Sequence, residues 1–234
     1  MKKLFKLLNY YSIDGILEFI KSFLNFRYIF FKQRFMGKYT LRNKQNIFIG
    51  KKFKAYNNFF AEAHNEGKIY IGDECVFNRN AYLTAFDEIK IGNNVLFGPN
   101  VFIGDHDHGI YGGKNHSFPD QPPVERLIRP KKIQIGDNVW IGNNVTITKG
   151  SVIGKGSVIG ANSVVVGAIQ PFSIAVGIPA KIKKKFEKKT RNWEKKIING
   201  KALTFAFSSL GINISRNYIY RFFKNYWDRL GLSC

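Results

Sequence analysis

A period of six runs through the middle of this chain and constrains its fold more than any other feature. Ile135, Ile141, Ile147, Ile153, Ile159 and Val165 recur at intervals of six without a slip. Gly136, Gly142, Gly154 and Gly160 follow the branched residues directly, and Gly167 follows one place late. Upstream the same phase appears in shorter runs, Ile71–Phe77–Leu83 and Ile91–Phe97–Ile103, with Gly72, Gly92, Gly98 and Gly104 at the same turn positions. Helices repeat every 3.6 residues and strands every two, so six fits neither. It fits a coil in which every sixth residue points into a prism, three hexads (about eighteen residues) closing one triangular turn. The β-branched residues fill the interior, and the glycines serve corners where a side chain would crowd or φ would turn positive. The predicted fold is an all-β solenoid.

The period is interrupted once on a large scale. Residues 105–133, DHDHGIYGGKNHSFPDQPPVERLIRPKKI, hold three of the four histidines and four of the seven prolines. A polar, Gly/Pro-rich excursion from a rigid scaffold is the form an active-site loop takes. The expected organisation is a helical, basic and aromatic region over 1–45, a repeat coil over 46–186 carrying the loop, and a basic, aromatic, helical extension over 187–234. Leu4, Leu7, Leu8, Ile16, Phe19, Ile20 and Phe23 supply the helical spacing at the front.

The net charge of +21 is unevenly placed. Residues 1–54 carry 13 Lys/Arg against 2 acids, residues 55–180 carry 10 against 11, and residues 181–234 carry 14 against 3. A neutral centre between two basic ends rich in aromatic residues suits peripheral contact with an anionic membrane surface. No nucleic-acid-binding motif accompanies the charge, so no nucleic-acid partner is expected. Charges at Lys6, Asp14, Glu18 and Lys21 break up any signal-peptide core, and no stretch of about eighteen uncharged apolar residues exists. The two cysteines, Cys75 and Cys234, form no disulfide framework, which points to a reducing, cytoplasmic setting on or near the inner membrane face.

The blocks IGNNVLFGPNVFIG, IGDNVWIGNNVTITKGSVIGKGSVIGANSVVVGAI and AVGIPAKIKKKF resemble the signatures of the hexapeptide-repeat acyltransferases, the group of galactoside, maltose and serine acetyltransferases. The loop, DHDHG-x-Y with PPVER downstream, resembles the branch that O-acetylates cell-surface polysaccharides. The resemblance covers about residues 46 to 186. It implies a left-handed parallel β-helix, a homotrimer, active sites between neighbouring subunits, acetyl-CoA as donor and a carbohydrate acceptor. Carried over position by position, it places Asn78 and Asn80 of Asn78-Arg79-Asn80 at the acceptor with Trp140 of VWIG. Asn143 and Ala161 match the small residues beside the pantetheine arm, and Lys181 and Lys184 the basic residues near the coenzyme phosphates. The ungapped register from Asn78 lands on His108 as the catalytic histidine, with His106 beside it. His116 keeps the family's bare spacing of 24 residues to Trp140, whereas His108 stands 32 before it.

A sugar hydroxyl is a poor nucleophile at neutral pH, and histidine has the pKa to take its proton and return it to the leaving thiolate. A backbone N–H of a neighbouring coil would stabilise the oxyanion. Asp105 and Asp107 flank His106 and could orient an imidazole or raise its basicity, although alternation along an extended chain points them away from the adjoining histidines and makes a partner across the subunit boundary an equal alternative. Direct transfer is expected, because neither cysteine lies in the loop. Two other chemistries use the same features: N-acetylation of an amino sugar or nucleotide-linked sugar, and a zinc site on His106, His108 and His116. The zinc reading resembles the β-helical carbonic anhydrases, whose His-x4-His spacing is absent here. A purely structural β-helix would carry threonine ladders, and only Thr146 and Thr148 suggest one.

Overall fold

The computed structural model describes residues 33–195. They form a three-sided parallel β-helix whose faces are three parallel sheets. The first face stacks Gln33–Met36, Phe53–Tyr56, Val76–Phe77, Leu96–Phe97, Trp140–Ile141, Val158–Ile159 and Ser173–Val176. The second stacks Tyr39–Arg42, Phe59–Ala63, Tyr82–Ala85, Phe102–Gly104, Thr146–Ile147 and Val164–Val165. The third stacks Ile47–Ile49, Lys68–Ile71, Glu88–Ile91, Ile133–Ile135, Val152–Ile153 and Ala168–Ile169. A hairpin of Lys181–Glu187 and Asn192–Lys195 then pairs antiparallel onto the first face and closes the stack.

Each face contributes one inward column in strict register. Phe35, Ala55, Phe77, Phe97, Ile141, Ile159 and Ala175 line the first face. Leu41, Ala61, Leu83, Ile103, Ile147 and Val165 line the second. Ile49, Ile71, Ile91, Ile135, Ile153 and Ile169 line the third. From Ile71 to Val165 these are the hexad positions read from the sequence, the columns running on beyond them to Phe35 and Ala175, and most are under 5% exposed.

Going round the prism, the step from first to second face is always six residues, from Phe35–Leu41 through Ile159–Val165. The step from third face to the next coil's first is also six, from Ile49–Ala55 through Ile169–Ala175. All variation falls at the remaining edge. There the steps are 8 (Leu41–Ile49), 10 (Ala61–Ile71), 8 (Leu83–Ile91), 32 (Ile103–Ile135), 6 (Ile147–Ile153) and 4 (Val165–Ile169). The expected turn of about eighteen residues therefore holds only from Ile141 to Ile159, and upstream coils are longer. Those wider coils need bulkier filling, and Phe53, Phe59, Phe77 and Phe97 supply it, with Phe77 and Phe97 stacked at 4.0 Å.

Two devices hold the constant edges. Between first and second faces, Asn58, Asn80, Asn100, Asn144 and Asn162 all adopt positive φ, from 55° to 61°. Their side-chain amides join coil to coil at 3.0, 2.8, 2.9 and 2.9 Å. Asparagine tolerates left-handed backbone at low cost and carries both a donor and an acceptor for such a ladder. The glycines have a different cause. A Cβ on Gly142 would stand 2.6 Å from the backbone nitrogen of Ala161, and one on Gly92 would stand 2.7 Å from that of Asp137. The expectation gave both jobs to glycine. Here close approach falls to glycine and positive φ largely to asparagine.

Two boundaries differ from expectation. Residues 33–42, read as part of a helical region ending at 45, form two strands of the first coil, because Phe35 and Leu41 take inward places in the same columns. Asn192–Lys195, read as the start of a helical extension, is a strand that packs Trp193 against Phe186 with ring centroids 5.4 Å apart. Residues 1–32 and 196–234, and with them most of both predicted extensions and of the basic aromatic ends expected to meet a membrane, lie outside the described residues. Among the described residues no helix is long and apolar enough to cross a membrane.

Candidate active site

The long excursion leaves the second face at Asp105 and returns at Ile133, on the one edge whose length varies. Along that edge His64, Phe86 and His106 follow the inward residues Ala63, Ala85 and Asp105 in successive coils. His64 stacks on Phe86 at 4.2 Å, and His106 leans on the same ring at 4.3 Å. The His64 Nε2 lies 3.2 Å from Thr84 Oγ1 and 3.6 Å from Glu62 Oε2. Sequence reading missed His64, since it lies outside the loop. Its signal was position: 22 residues before Phe86 and 42 before His106, it occupies the same corner two coils earlier.

Asp105 is fully buried, and its carboxylate accepts hydrogen bonds from the backbone N–H groups of Phe86 (2.9 Å) and Asp87 (2.8 Å). It also stands 3.3 Å from His106 Nδ1. Of the two alternatives left open for Asp105, the contact with the adjoining imidazole is the one found, and alternation does not separate them. The chain bends at this corner, and the carboxylate folds back beneath the imidazole to reach the amides of residues 86 and 87. An ionised carboxylate only accepts, so the contact assigns the proton to Nδ1 and leaves Nε2 bare. Burial, the largest influence, pulls the His106 pKa below the usual 6.5, while Asp105 opposes the shift. The arrangement favours a neutral, correctly tautomerised imidazole near pH 7.

His108 is exposed, and its ring centroid lies 6.0 Å from that of His106. Its backbone is tied down by a bridge to Ile128, and its carbonyl accepts a 2.6 Å hydrogen bond from Tyr111 Oη. Arg126 braces that tyrosine at 3.0 Å and donates to the carbonyls of Gln121 and Pro119. Between the histidines, Asp107 pairs with Lys149 of the next coil at 2.6 Å. His116 lies apart, with Nδ1 at 3.2 Å from the Gly113 carbonyl and its ring against Phe118. Among the described residues no three His, Cys, Asp or Glu side chains converge as metal ligands.

The remaining candidates gather elsewhere. Asn78, Asn80, Asn143 and Ala161 all lie on the asparagine edge. Asn80 commits its amide to the ladder in both directions, and Asn78 accepts from the Arg79 N–H at 2.9 Å. Asn143 and Ala161 stack in neighbouring coils, joined by the Asn162 N–H to the Asn143 carbonyl at 2.8 Å. Trp140 projects from the first face, 54% exposed, between Leu96 and Val158. Exposed Lys181 pairs with Val176, whose side chain lies over Gly160, next to Ala161. Lys184, also exposed, pairs with Ile174 farther along the face. In one chain, therefore, the histidines stand on one edge and the acceptor and coenzyme candidates on or near another, with the second face between. Cys75 is buried, and desolvation pushes its thiol up to about 11, which keeps it protonated and unreactive.

Comparison with known proteins matches residues 132–167 to the bacterial transferase hexapeptide family of six repeats. The chain is 33% identical over 193 residues to the putative lipopolysaccharide biosynthesis O-acetyl transferase WbbJ of Escherichia coli, covering 81% of this chain and 98% of that one. It is 32% identical over 120 residues to a probable acetyltransferase of Mycobacterium tuberculosis, covering 51% of this chain but 38% of the relative. Among solved structures, a hexapeptide-repeat-containing acetyltransferase from Vibrio cholerae aligns at 26% identity and a TM-score of 0.46, over 76% of this chain and 84% of that one.

Proposed function

The chain belongs to the hexapeptide-repeat acetyltransferases, and within them we propose that it transfers the acetyl group of acetyl-CoA to a sugar hydroxyl of a cell-surface polysaccharide or its lipid-linked precursor. His108 is the general base: its Nε2 removes the hydroxyl proton as the oxygen attacks the thioester carbonyl. The carbon–sulfur bond breaks, and the proton passes to the departing thiolate. Transfer is direct, since the buried Cys75 offers no nucleophile. His106, fixed by Asp105, holds the second imidazole beside it. The relative of matching length, whose name describes lipopolysaccharide O-acetylation, supports the acceptor class.

The observation that carries this reading is the separation of the two sets of candidates on different edges. A second copy, packed so that its asparagine edge faces the histidine edge of the first, supplies Trp140, Asn143, Ala161, Lys181 and Lys184 to one cleft, which a threefold ring repeats three times. The lysines would meet the coenzyme phosphates as charge-assisted partners.

The test is acetyl transfer to a panel of neutral oligosaccharides and amino sugars, followed by mild base. A product that loses its acetyl group is an ester and supports the reading; a base-stable product is an amide and makes the enzyme an N-acetyltransferase. His108→Ala should lower kcat by roughly 10²- to 10⁴-fold with coenzyme binding retained. If His106→Ala collapses instead, the base is His106.

A further inference from the structure

Each aspartate of the Asp105-His106-Asp107-His108 turn is anchored to a different neighbour. Asp105 is sewn inward to the amides of the preceding coil, as described above. Asp107 faces outward and meets Lys149 Nζ at 2.6 Å. Lys149 lies at the same edge of the following coil, in the turn Thr148-Lys149-Gly150, and its side chain is 23% exposed against 50% for Asp107. The neck of the loop is stitched at that point. The Lys131 N–H donates to the Asp105 carbonyl at 2.8 Å, and the Gly150 N–H donates to the Lys131 carbonyl at 3.0 Å. Among the ion pairs of the described residues, that of Lys149 is the one that ties the histidine turn to a later coil.

His108 itself is exposed, but its backbone is bridged to Ile128, its carbonyl accepts from Tyr111 Oη, and the Gly109 that follows at φ 120° is buried. Those anchors hold the turn after His108, and the Lys149–Asp107 pair holds it just before. A partly exposed ion pair adds little to overall stability. Its geometric effect is larger, because catalysis is steep in the placement of a base, about 10²-fold for 1 Å of displacement.

We infer that Lys149 is a positioning residue for the transferase, which pins Asp107 and so fixes the direction in which His108 presents its imidazole. This rests on the reading of the histidine turn as the site of transfer. Lys149 touches no reacting atom; it acts through Asp107 and the backbone that the aspartate shares with both histidines.

The experiment uses the full chain with substitutions Lys149→Ala, Lys149→Arg, Asp107→Ala and the double variant, with Lys132→Ala as control. Lys132 makes looser contacts, 3.8 Å each, to Asp87 and Glu88 on the same edge. With whichever sugar acceptor is turned over, Lys149→Ala and Asp107→Ala should each lower kcat about 10- to 100-fold. KM for acetyl-CoA should stay within about twofold, as expected for a group remote from coenzyme binding. Lys149→Arg should recover most of the rate, the double variant should be no worse than either single one, and Lys132→Ala should match the parent. Parental kcat in Lys149→Ala, or losses that multiply in the double variant, overturns the inference. A second arm needs no acceptor. Imidazole resonances of His108, followed by NMR, should broaden or split in Lys149→Ala while those of His64 stay unchanged. A single sharp His108 signal as in the parent overturns the inference even if no sugar is acetylated. Absence of transfer to every acceptor, with the His108 signal perturbed as expected, instead sinks the reading of function and leaves the clamp standing.

Discussion

His106 turns its Nδ1 toward the carboxylate of its own neighbour, Asp105, across 3.3 Å, while that carboxylate is held from the other side by the amides of Phe86 and Asp87. The aspartate occupies an inward place that alanine fills in the two preceding coils, so one residue both closes a corner and orients an imidazole.

Removing that carboxylate should be felt first in stability. Asp105→Ala strands two partly buried amide donors, at about 1–2 kcal/mol for each, the lower part of the range for an unsatisfied group because water reaches them in part. The expected loss is about 2–4 kcal/mol by urea denaturation at fixed protein concentration, and Asp105→Asn, which keeps an acceptor oxygen, should lose less than half of that. Equal losses in the two variants would contradict this account.

The pH dependence of His106 follows from its burial. Its folded pKa lies below 6.5, so above 6.5 the folded and unfolded chains both hold it neutral. As pH falls through 6.5 the unfolded state takes up the proton first, and the folded state loses stability until His106 itself titrates. NMR should give His106 a midpoint below 6.5. His106→Phe should flatten the acid limb of the stability curve between that midpoint and 6.5. A midpoint above 6.5 would mean that Asp105, not burial, dominates.

The asparagine ladder predicts an ordering of variants at a middle rung. Asn100→Ala loses amide bonds to Asn80 and Asn144 and also puts alanine at φ 58°. Asn100→Gly loses only the bonds. Left-handed backbone costs a non-glycine residue roughly 1–2 kcal/mol, so alanine should be the less stable by about that amount in thermal or urea unfolding. Indistinguishable variants would assign the whole effect to the hydrogen bonds.

Assembly is tested by scattering and by complementation. Light scattering should report three copies, and a fully active monomer would end the shared-cleft proposal. Mixing inactive His108→Ala with inactive Trp140→Ala, then unfolding and refolding the chains together, should restore about a quarter of the sites, because a neighbour pair drawn at random joins an intact histidine to an intact tryptophan one time in four.

Much of this architecture was legible in the residues. Between Ile71 and Val165 the inward columns are the hexad positions themselves, because every turn buries the same side of the chain; the first coil, with Phe35 and Leu41, was read as helix instead. The loop boundaries were legible too, since polar residues, glycines and prolines replace the branched repeat where it leaves the prism. What the sequence hid was anything set by contact between coils. The Asp105–His106 contact depends on a corner that local alternation does not encode. Lys149 meets Asp107 across 42 residues of chain, a pairing fixed only when the coils stack. Asn80, read as an acceptor ligand, spends its amide on the ladder in both directions, and the residue type alone does not tell a sugar ligand from a rung at left-handed backbone. His64 was passed over because coil lengths of 20 and 22 residues shift the periodic signal that links it to His106.

The unequal edges carry a consequence for how such a protein diversifies. Two edges count six residues in every coil, and each extra residue there would throw a ladder out of step along the whole stack. The third edge already tolerates steps from 4 to 32 residues without disturbing a single inward column. Insertions and deletions are thus channelled to the edge that holds the histidines. Related chains should differ in length there before anywhere else, and a loop grafted between them at residues 105 and 133 should leave the scaffold beneath in register.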